Sequence, residues 1–334
     1  MPAIRPAVVL PLLALVSGLQ LAHAAPVLEA YAAAVAGQAV LIPPFGCATS
    51  AREVYAYGAG AIMPTEGYAA CGIAGSSQHL TAAAGMQVAS RDISHIFPDG
   101  SNFNGVAKAR ANYGVLGVSA YATDSGDTNS FKYHEAAAFA RWQDQFTIAS
   151  PGVSVGALGG AYFTFTIDGT LGHTAVPPYY AQTELDLYMN INTPGGNGYT
   201  IFKAQVLGSD LWIYNNGWTG SPGTTFGSIN NAQATVGPFF FNFGAPFEIQ
   251  VWMQTLGMHG CCFGTVQNMN FYSTAAFTGL AVYSQSGQVA DFTVTSASGT
   301  TYTANGVQQA AVPEPQSWLL AGFGLLALRL RRRA

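Results

Sequence analysis

Residues 161–169, AYFTFTIDG, alternate between apolar and polar side chains. If the segment is extended, Phe163, Phe165 and Ile167 fall together on one face and hydroxyl-bearing side chains fall on the other. Successive side chains of a β-strand point to opposite faces of the sheet, so a period of two predicts a strand with one buried face.

The same alternation recurs later in the chain, which indicates a fold built mainly from strands. It is found in ELDLYMNIN (184–192), FEIQVWMQT (247–255) and ADFTVTSASG (290–299). Turn-forming residues separate the segments, at Asp168-Gly169, Pro194-Gly195-Gly196, Asn216-Gly217 and Ser286-Gly287. This spacing predicts a mainly β protein whose body is an antiparallel β-sandwich or resembles a jelly roll.

We divide the body into an Ala/Gly-rich region, residues 25–105, and a β-sandwich domain, residues 106–311; the first region is either separate or part of the second. In the first region, AYAAAVAG (30–37) and LTAAAGMQVA (80–89) could form short helices, because alanine favours helix. HEAAAFARWQDQF (134–146) has aromatic residues at helical spacing, yet QFTI continues it as a strand, and we favour the strand.

The distribution of charge excludes nucleic-acid binding. Between its termini the chain has seven basic and fifteen acidic residues, a formal net charge of −8. Only Lys203 is basic after Arg141 in that body. Such a surface cannot neutralise a run of phosphates.

The N-terminus, residues 1–24, has the pattern of a secretory signal peptide. Arg5 precedes the apolar run VVLPLLALV, and Ala22-His23-Ala24 fits the small-x-small cleavage rule. We predict Sec-type export and cleavage by signal peptidase after Ala24.

Export makes disulfides among Cys47, Cys71, Cys261 and Cys262 feasible. A local bond between Cys47 and Cys71, and bonds that join both of these to the later pair, remain alternatives. We predict no metal site, because the adjacent Cys261 and Cys262 lack the spacing of structural zinc ligands. A weaker candidate for calcium is the polar segment ATDSGDTNS, with oxygen ligands from Asp124, Asp127 and Asn129.

No catalytic constellation or cofactor motif is evident, so we expect a protein that is not an enzyme. GVSVG (152–156) matches the G-x-S-x-G pattern of serine hydrolases, but Pro151 precedes it and a strand follows. A nucleophile in that motif needs a helix after the serine. A hydrolase using Ser154 is therefore the weakest alternative.

The segment DLWIYNNGWTG (210–220) is the strongest candidate for binding. Trp212, Tyr214 and Trp218 surround an Asn-Gly turn, which favours a hairpin. Aromatic faces beside Asp and Asn suit carbohydrate, because rings stack on the apolar sugar face and amides bond the hydroxyls. Packing of the same rings within the fold is the alternative.

The C-terminal tail, residues 312–334, reads VPEPQSWLLAGFGLLALRLRRRA. Its apolar run from Trp318 to Leu328 is eleven residues, shorter than the ~20 that span a membrane as a helix. The arginines that follow would hold its end on the cytoplasmic side.

This tail resembles the PEP-CTERM sorting signal of exported Gram-negative bacterial proteins. The resemblance rests on Val312-Pro313-Glu314-Pro315, the short apolar helix, and Arg331-Arg332-Arg333. It implies transient insertion in the inner membrane, recognition by an exosortase, and processing near the Pro-Glu-Pro motif. It also implies release to the cell surface and an association with extracellular polysaccharide and biofilm matrix.

The body is similar in style to other passengers of such tails. The similarity rests on DQFTI (144–148), FTIDGTLG (165–172), GAPFEIQV (244–251) and residues 274–302. We therefore expect an exported surface or matrix protein with a structural or adhesive role; the alternative is a carbohydrate-binding module for extracellular polysaccharide.

Overall fold

The computed structural model describes residues 25–38, 74–97, 99–125, 132–174, 181–192, 198–207, 210–215, 218–219, 228–259 and 266–308. Within these ranges there are eighteen β-strands. Among the same residues, no helix has the length and apolar character needed to cross a membrane.

The strands are numbered in chain order. Their bounds are β1 Val27–Gln38, β2 Ala74–Ala82, β3 Gln87–Ile96, β4 Asn102–Asn112, β5 Val115–Ser125, β6 Lys132–Ala149, β7 Leu158–Thr174, β8 Ala181–Asn192, β9 Gly198–Leu207, β10 Asp210–Asn215, β11 Trp218–Thr219, β12 Ser228–Asn242, β13 Pro246–His259, β14 Val266–Ser284, β15 Gly287–Val289, β16 Thr293–Ser296, β17 Thr301–Thr303 and β18 Gly306–Gln308.

The strands form two antiparallel sheets. Sheet 1 runs β10-β9-β8-β13-β6-β16-β17-β18, with β1 also paired to β6 and β2 paired to β1. β1 and β16 share one edge of β6, because β1 pairs with residues 132–143 and β16 with residues 146–149. Sheet 2 runs β11-β12-β7-β14-β5-β4-β3, and β15 pairs with the end of β14.

Pairs of strands distant in sequence are nested inside one another. β5 pairs with β14, β6 with β13 and β7 with β12, while the chain passes alternately between the two sheets. Nested antiparallel pairs in two packed sheets are the pattern of a jelly roll, which further strands extend here to a ten-stranded and an eight-stranded sheet. The prediction of an antiparallel β-sandwich of this type is confirmed.

The core lies between the sheets and follows the predicted alternation. Phe163, Phe165 and Ile167 of β7 are buried, as are the alternate residues of β8 and β13. Contact between the sheets is direct, for example where the rings of Phe241 on β12 and Phe247 on β13 lie with centroids 5.5 Å apart. The hydrophobic alternation therefore identified the buried faces correctly.

The suggested helices in the Ala-rich region are wrong. Residues 30–37 belong to β1, and residues 80–89 form the end of β2, a turn and the start of β3. Ala32 of β1 is opposite Ala138 of β6, and both are fully buried. Small side chains on both strands allow close packing, and strand pairing overrides the helix preference of alanine.

The favoured strand over residues 134–146 is found within β6. The division proposed between residues 105 and 106 falls inside β4, and β1 to β4 share the two sheets with the later strands.

The turn expected at Asp168-Gly169 is wrong, since both residues lie inside β7. A Cβ on Gly169 would lie 2.2 Å from Cδ1 of Phe271 on the neighbouring β14. This glycine therefore allows close contact between strands rather than a reversal of the chain. The turn expected at Ser286-Gly287 does occur, between β14 and β15, with Gly287 at a φ of 122°.

The last three strands, β16, β17 and β18 (residues 293–308), pair in order and close one end of the sandwich. We call this segment the C-terminal hairpin. The carboxylate of Asp144 on β6 is 1% exposed and accepts hydrogen bonds from Ser298 and from the Tyr302 hydroxyl. Across the sandwich, the Leu280 N–H of β14 donates to the Ala304 carbonyl, 3.1 Å away. The hairpin thus bonds to both sheets.

Candidate functional site

The face of sheet 1 that points away from the core between the sheets carries a continuous array of polar and aromatic side chains, which we call the ladder face. Most of these side chains are buried, while Tyr188 and Trp252 are partly exposed. We define it by Glu29, Tyr31, His79, Phe139, Arg141, Gln143, Asp186, Tyr188, Lys203, Gln250, Trp252 and Gln254. The alternate residues of the same strands point into the core, so burial of the core fixes which residues face outward.

Strand register arranges the ladder face in rows that cross the sheet. One row reads Lys203, Asp186, Gln254, Phe139, Tyr31, His79 across six strands. The next reads Tyr188, Trp252, Arg141, Glu29. Residues directly opposite one another on paired strands are close enough to contact, so each row is a chain of neighbouring side chains.

An aromatic platform lies at the centre of the face. The rings of Tyr188 and Trp252 are stacked, with centroids 4.9 Å apart and an interplanar angle of 23°. Phe139 lies on the other side of Trp252, at 6.2 Å between centroids. Tyr188 and Trp252 are both partly exposed, and burial raises the pKa of Tyr188 above its ordinary value of 10.0. The phenol is therefore neutral at physiological pH and can donate a hydrogen bond.

Ion pairs flank this platform on both sides. On one side, Glu29 contacts Arg141 Nη2 through Oε2 and His79 Nε2 through Oε1, each at 2.7 Å. On the other side, Lys203 Nζ lies 3.5 Å from Asp186 Oδ1. The carboxylates of Glu29 and Asp186 are thus balanced by Arg141 and Lys203, and these four residues contribute no net charge.

Three glutamines supply amides to the same face, and all three are buried. Gln250 Nε2 donates to Gln143 Oε1 at 3.2 Å, and Gln254 Nε2 donates to Asp186 Oδ2 at 2.6 Å. Gln254 Oε1 and Arg141 Nε have no hydrogen-bond partner among the described residues, although both atoms are buried. Buried polar atoms are nearly always paired, so these two mark positions where an internal water would complete the network.

The backbone places two of the predicted binding residues in register with the ladder face. On β10, Tyr214 is opposite Lys203 and Trp212 is opposite Gln205. Trp218 is instead in β11, which pairs with β12 in sheet 2. The expected hairpin around Asn216-Gly217 is therefore wrong, because the strands on either side of it belong to different sheets. Whether these three residues bind carbohydrate stays a prediction.

The other predicted sites are mostly outside the described residues. That group comprises the signal peptide with Ala22 and Ala24, all four cysteines, Asp127, Asn129 and the sorting tail with its short helix. Asp124 is described, at the end of β5. Ser154 is exposed on the turn between β6 and β7, and a strand rather than a helix follows it, so the local geometry of a nucleophile elbow is not present.

Sequence analysis missed the ladder face, although some of its signal was visible. In residues 247–255, the alternation that predicts one buried apolar face also places Gln250, Trp252 and Gln254 together on the opposite face. The partners Glu29 and Arg141 are 112 residues apart, and only the strand register brings them together.

Comparison with known proteins identifies the tail alone. No curated protein matches the chain. Residues 311–333 match the family model of the PEP-CTERM protein-sorting motif, which confirms the resemblance stated above for the tail. The chain therefore ends in a PEP-CTERM sorting motif, and its motif marks it for export and for exosortase processing towards the cell surface or extracellular space.

Proposed function

We propose that the mature protein is a structural or adhesive component of the cell surface or extracellular matrix, and that it is not an enzyme. The route begins with Sec-type export and signal peptidase cleavage after Ala24. The tail then inserts transiently in the inner membrane until exosortase processes it. The β-sandwich is the portion that remains and makes contacts outside the cell.

The contact that the geometry supports best is with polysaccharide at the ladder face. The observation that carries this proposal is the partly exposed stack of Trp252 on Tyr188, which lies between two ion pairs. A sugar ring presents an apolar face to an aromatic ring and hydroxyls at its edge.

The charge balance of the ladder face favours a neutral sugar. Glu29 and Asp186 already engage Arg141 and Lys203, so a charged group on the ligand would have to displace an existing ion pair. Removing one partner of a buried pair is strongly unfavourable. A neutral, hydroxyl-rich polymer avoids that penalty.

The test is a tryptophan fluorescence titration of the mature protein with neutral polysaccharide extracted from the producing cells. We expect Trp252→Ala and Tyr188→Ala each to weaken binding roughly tenfold, which is ~1.4 kcal/mol. Tyr283→Ala removes a ring from the opposite sheet and serves as the matched control, with binding unchanged. Wild-type affinity in both ladder-face variants would contradict the proposal. Trp212→Ala and Trp218→Ala in the same assay test the residues first predicted from sequence.

Two further experiments address sorting and catalysis. Deletion of residues 312–334 should abolish delivery to the surface, measured by protease accessibility on intact cells; unchanged delivery would refute the sorting role.

A serine-reactive phosphonate should leave the mature protein unlabelled, and covalent labelling of Ser154 would contradict the assignment as a non-enzyme.

A further inference from the structure

A groove of about 320 Å³ lies on the outward surface of sheet 2. It is on the other sheet from the ladder face. Its walls come from β4, β5 and β14, and we call it the β4–β14 groove. The polar and aromatic side chains that line it are those of Lys108, Ser119, Tyr121, Asn268, Asn270 and Tyr272.

Strand register sets these side chains in two adjacent rows. Lys108, Ser119 and Asn270 are directly opposite one another across the three strands, and Val106, Tyr121 and Asn268 form the next row. One wall of the groove is therefore basic and the other carries two amides. The small Ser119 lies between them and leaves room for a ligand.

A β-bulge in β14 shapes one end of the groove. The register between β14 and β5 shifts between Phe271 and Ala275. A Cβ on Gly117 would lie 1.9 Å from the Tyr272 carbonyl oxygen, so only glycine admits the bulged backbone here. Arg110 lies over the Tyr272 ring, with Cζ 5.2 Å from the ring centroid. Bulges commonly redirect a side chain next to a functional site, and this one brings Tyr272 to the groove beside a second cation.

The charge of the groove is opposite to that of the protein. The body has a formal net charge of −8, yet Lys108 and Arg110, two residues apart on β4, belong to this one surface. Lys108 is exposed and forms no ion pair within the part of the chain that the structure describes. Acidic side chains lie at the margins: Asp92 is on β3 opposite Val106, and Asp168 on β7 accepts a hydrogen bond from the Asn231 N–H.

We infer that the β4–β14 groove binds a polysaccharide that carries carboxylate groups. Lys108 holds the carboxylate, and Arg110 adds positive potential from the neighbouring row, since a cation beside a partly enclosed groove attracts the opposite charge. The amides of Asn268 and Asn270 and the hydroxyl of Ser119 bond the ring hydroxyls. Tyr121 and Tyr272 offer rings for stacking. This inference rests on different residues from the neutral-sugar site and stands independently of it.

The test uses the mature protein and polygalacturonate, a linear polymer of uronic acid, in calorimetric titrations. Its carboxyl-reduced form, which has the same backbone without charge, is the matched control ligand. In the Trp252→Ala variant, which removes the aromatic platform of the ladder face, we expect binding of polygalacturonate only, with affinity that falls as salt is raised from about 50 to about 500 mM. Equal binding of the reduced polymer to this variant, or no binding of polygalacturonate, would overturn the inference.

Variants separate this groove from the ladder face. Lys108→Gln should weaken polygalacturonate binding at least tenfold, and Asn270→Ala should weaken it severalfold. Arg91→Gln removes one positive charge from β3 at an inward-facing row and should leave the affinity unchanged. Trp252→Ala should also leave it unchanged, whether or not neutral sugars bind the ladder face. Undiminished binding by Lys108→Gln would refute the role of the groove.

Discussion

Asp144 on β6 accepts two hydrogen bonds from Ser298, a residue that follows it by 154 positions. The Ser298 N–H donates to Oδ1 at 3.0 Å and the Ser298 hydroxyl donates to Oδ2 at 2.5 Å. The Tyr302 hydroxyl also donates to Oδ2, at 3.0 Å. One buried carboxylate thereby fixes the turn of the C-terminal hairpin to the central strand of sheet 1.

Replacing Asp144 should release this hairpin. We expect Asp144→Ala to lower the free energy of unfolding by about 3 kcal/mol, because four donors, including the Gln145 N–H, lose a charged acceptor inside the protein. Urea denaturation followed by fluorescence measures the change. Ser298→Ala keeps the main-chain hydrogen bond, so its effect should be nearer to about 1 kcal/mol. Equal stability of wild type and Asp144→Ala would show that the carboxylate does not hold the hairpin.

The tyrosines around Asp144 should make the protein sensitive to alkali. Burial, and then the charge of Asp144, raises the pKa of Tyr113 from 10.0 to about 12 and places that of Tyr302 well above 10.0. Because the unfolded chain loses these protons first, stability should be constant below about pH 10 and fall as pH rises from about 10 to about 12. Urea midpoints at about pH 9 and about pH 11 measure the loss.

Tyr113→Phe provides the control for this pH dependence. It removes a hydrogen bond of 2.7 Å to the Ala83 carbonyl and should lower stability at neutral pH by about 1 kcal/mol. The same variant should lose less stability than wild type across the alkaline range. An identical alkaline slope would exclude Tyr113 as a source of it.

Two glycines on sheet 2 should respond differently to the same substitution. Gly117→Ala places a Cβ 1.9 Å from a main-chain oxygen, and we expect a loss of about 3 kcal/mol or a displaced bulge. At Gly172 a Cβ meets no atom within 4 Å, so Gly172→Ala should be neutral or slightly stabilising. Thermal unfolding of the two variants measures the contrast. Similar melting temperatures would mean that the bulge adjusts at little expense of free energy.

The pair of Glu29 and Arg141 should show strong coupling. Both side chains are largely buried, so Glu29→Leu alone leaves a buried guanidinium without its carboxylate and should reduce stability by about 3 kcal/mol. The double variant Glu29→Leu, Arg141→Met removes both charges and should recover most of that loss. A double-mutant cycle by urea denaturation yields the coupling energy, and additivity of the single effects would show that the pair is not coupled.

Mass spectrometry of the mature protein tests the predictions at its two ends. We expect an N-terminus at Ala25 and a C-terminus near Pro313-Glu314-Pro315. Non-reducing peptide maps should show disulfides among Cys47, Cys71, Cys261 and Cys262, and they distinguish a local bond from bonds that join the early and late cysteines. A mature chain that retains Arg331-Arg332-Arg333 would contradict processing of the tail.

The sequence predicted the sandwich because a half-buried strand leaves a local trace. Phe163, Phe165 and Ile167 reveal a buried face without any knowledge of what covers it. Local sequence predicted a helix for residues 30–37 and was wrong, because their composition favours helix whereas pairing with the distant β6 stabilises a strand. The turn predicted at Gly169 was also wrong, because this glycine lies within a strand and makes room for Phe271 on the neighbouring strand.

The candidate surfaces were largely hidden from the sequence for a related reason. Trp252 and Tyr188 stack because β13 and β8 pair in one register, and a shift of one residue would send both rings to the core face. Lys108 on β4 and Asn270 on β14 lie on either side of Ser119 on β5, although they are 162 residues apart in sequence. In contrast, the sorting motif is a contiguous segment recognised by its own residues, which is why the tail could be identified without a structure.

The place where the sandwich meets the sorting motif has a mechanical consequence. β18 ends at Gln308, and the matched motif begins at residue 311. A force applied to the tail therefore reaches the fold through β18. The three residue pairs between β18 and β17 would then separate one after another. Asp144 accepts hydrogen bonds from the turn between β16 and β17, which is next along this path, so one buried carboxylate opposes unravelling of the fold for as long as the tail is attached and held.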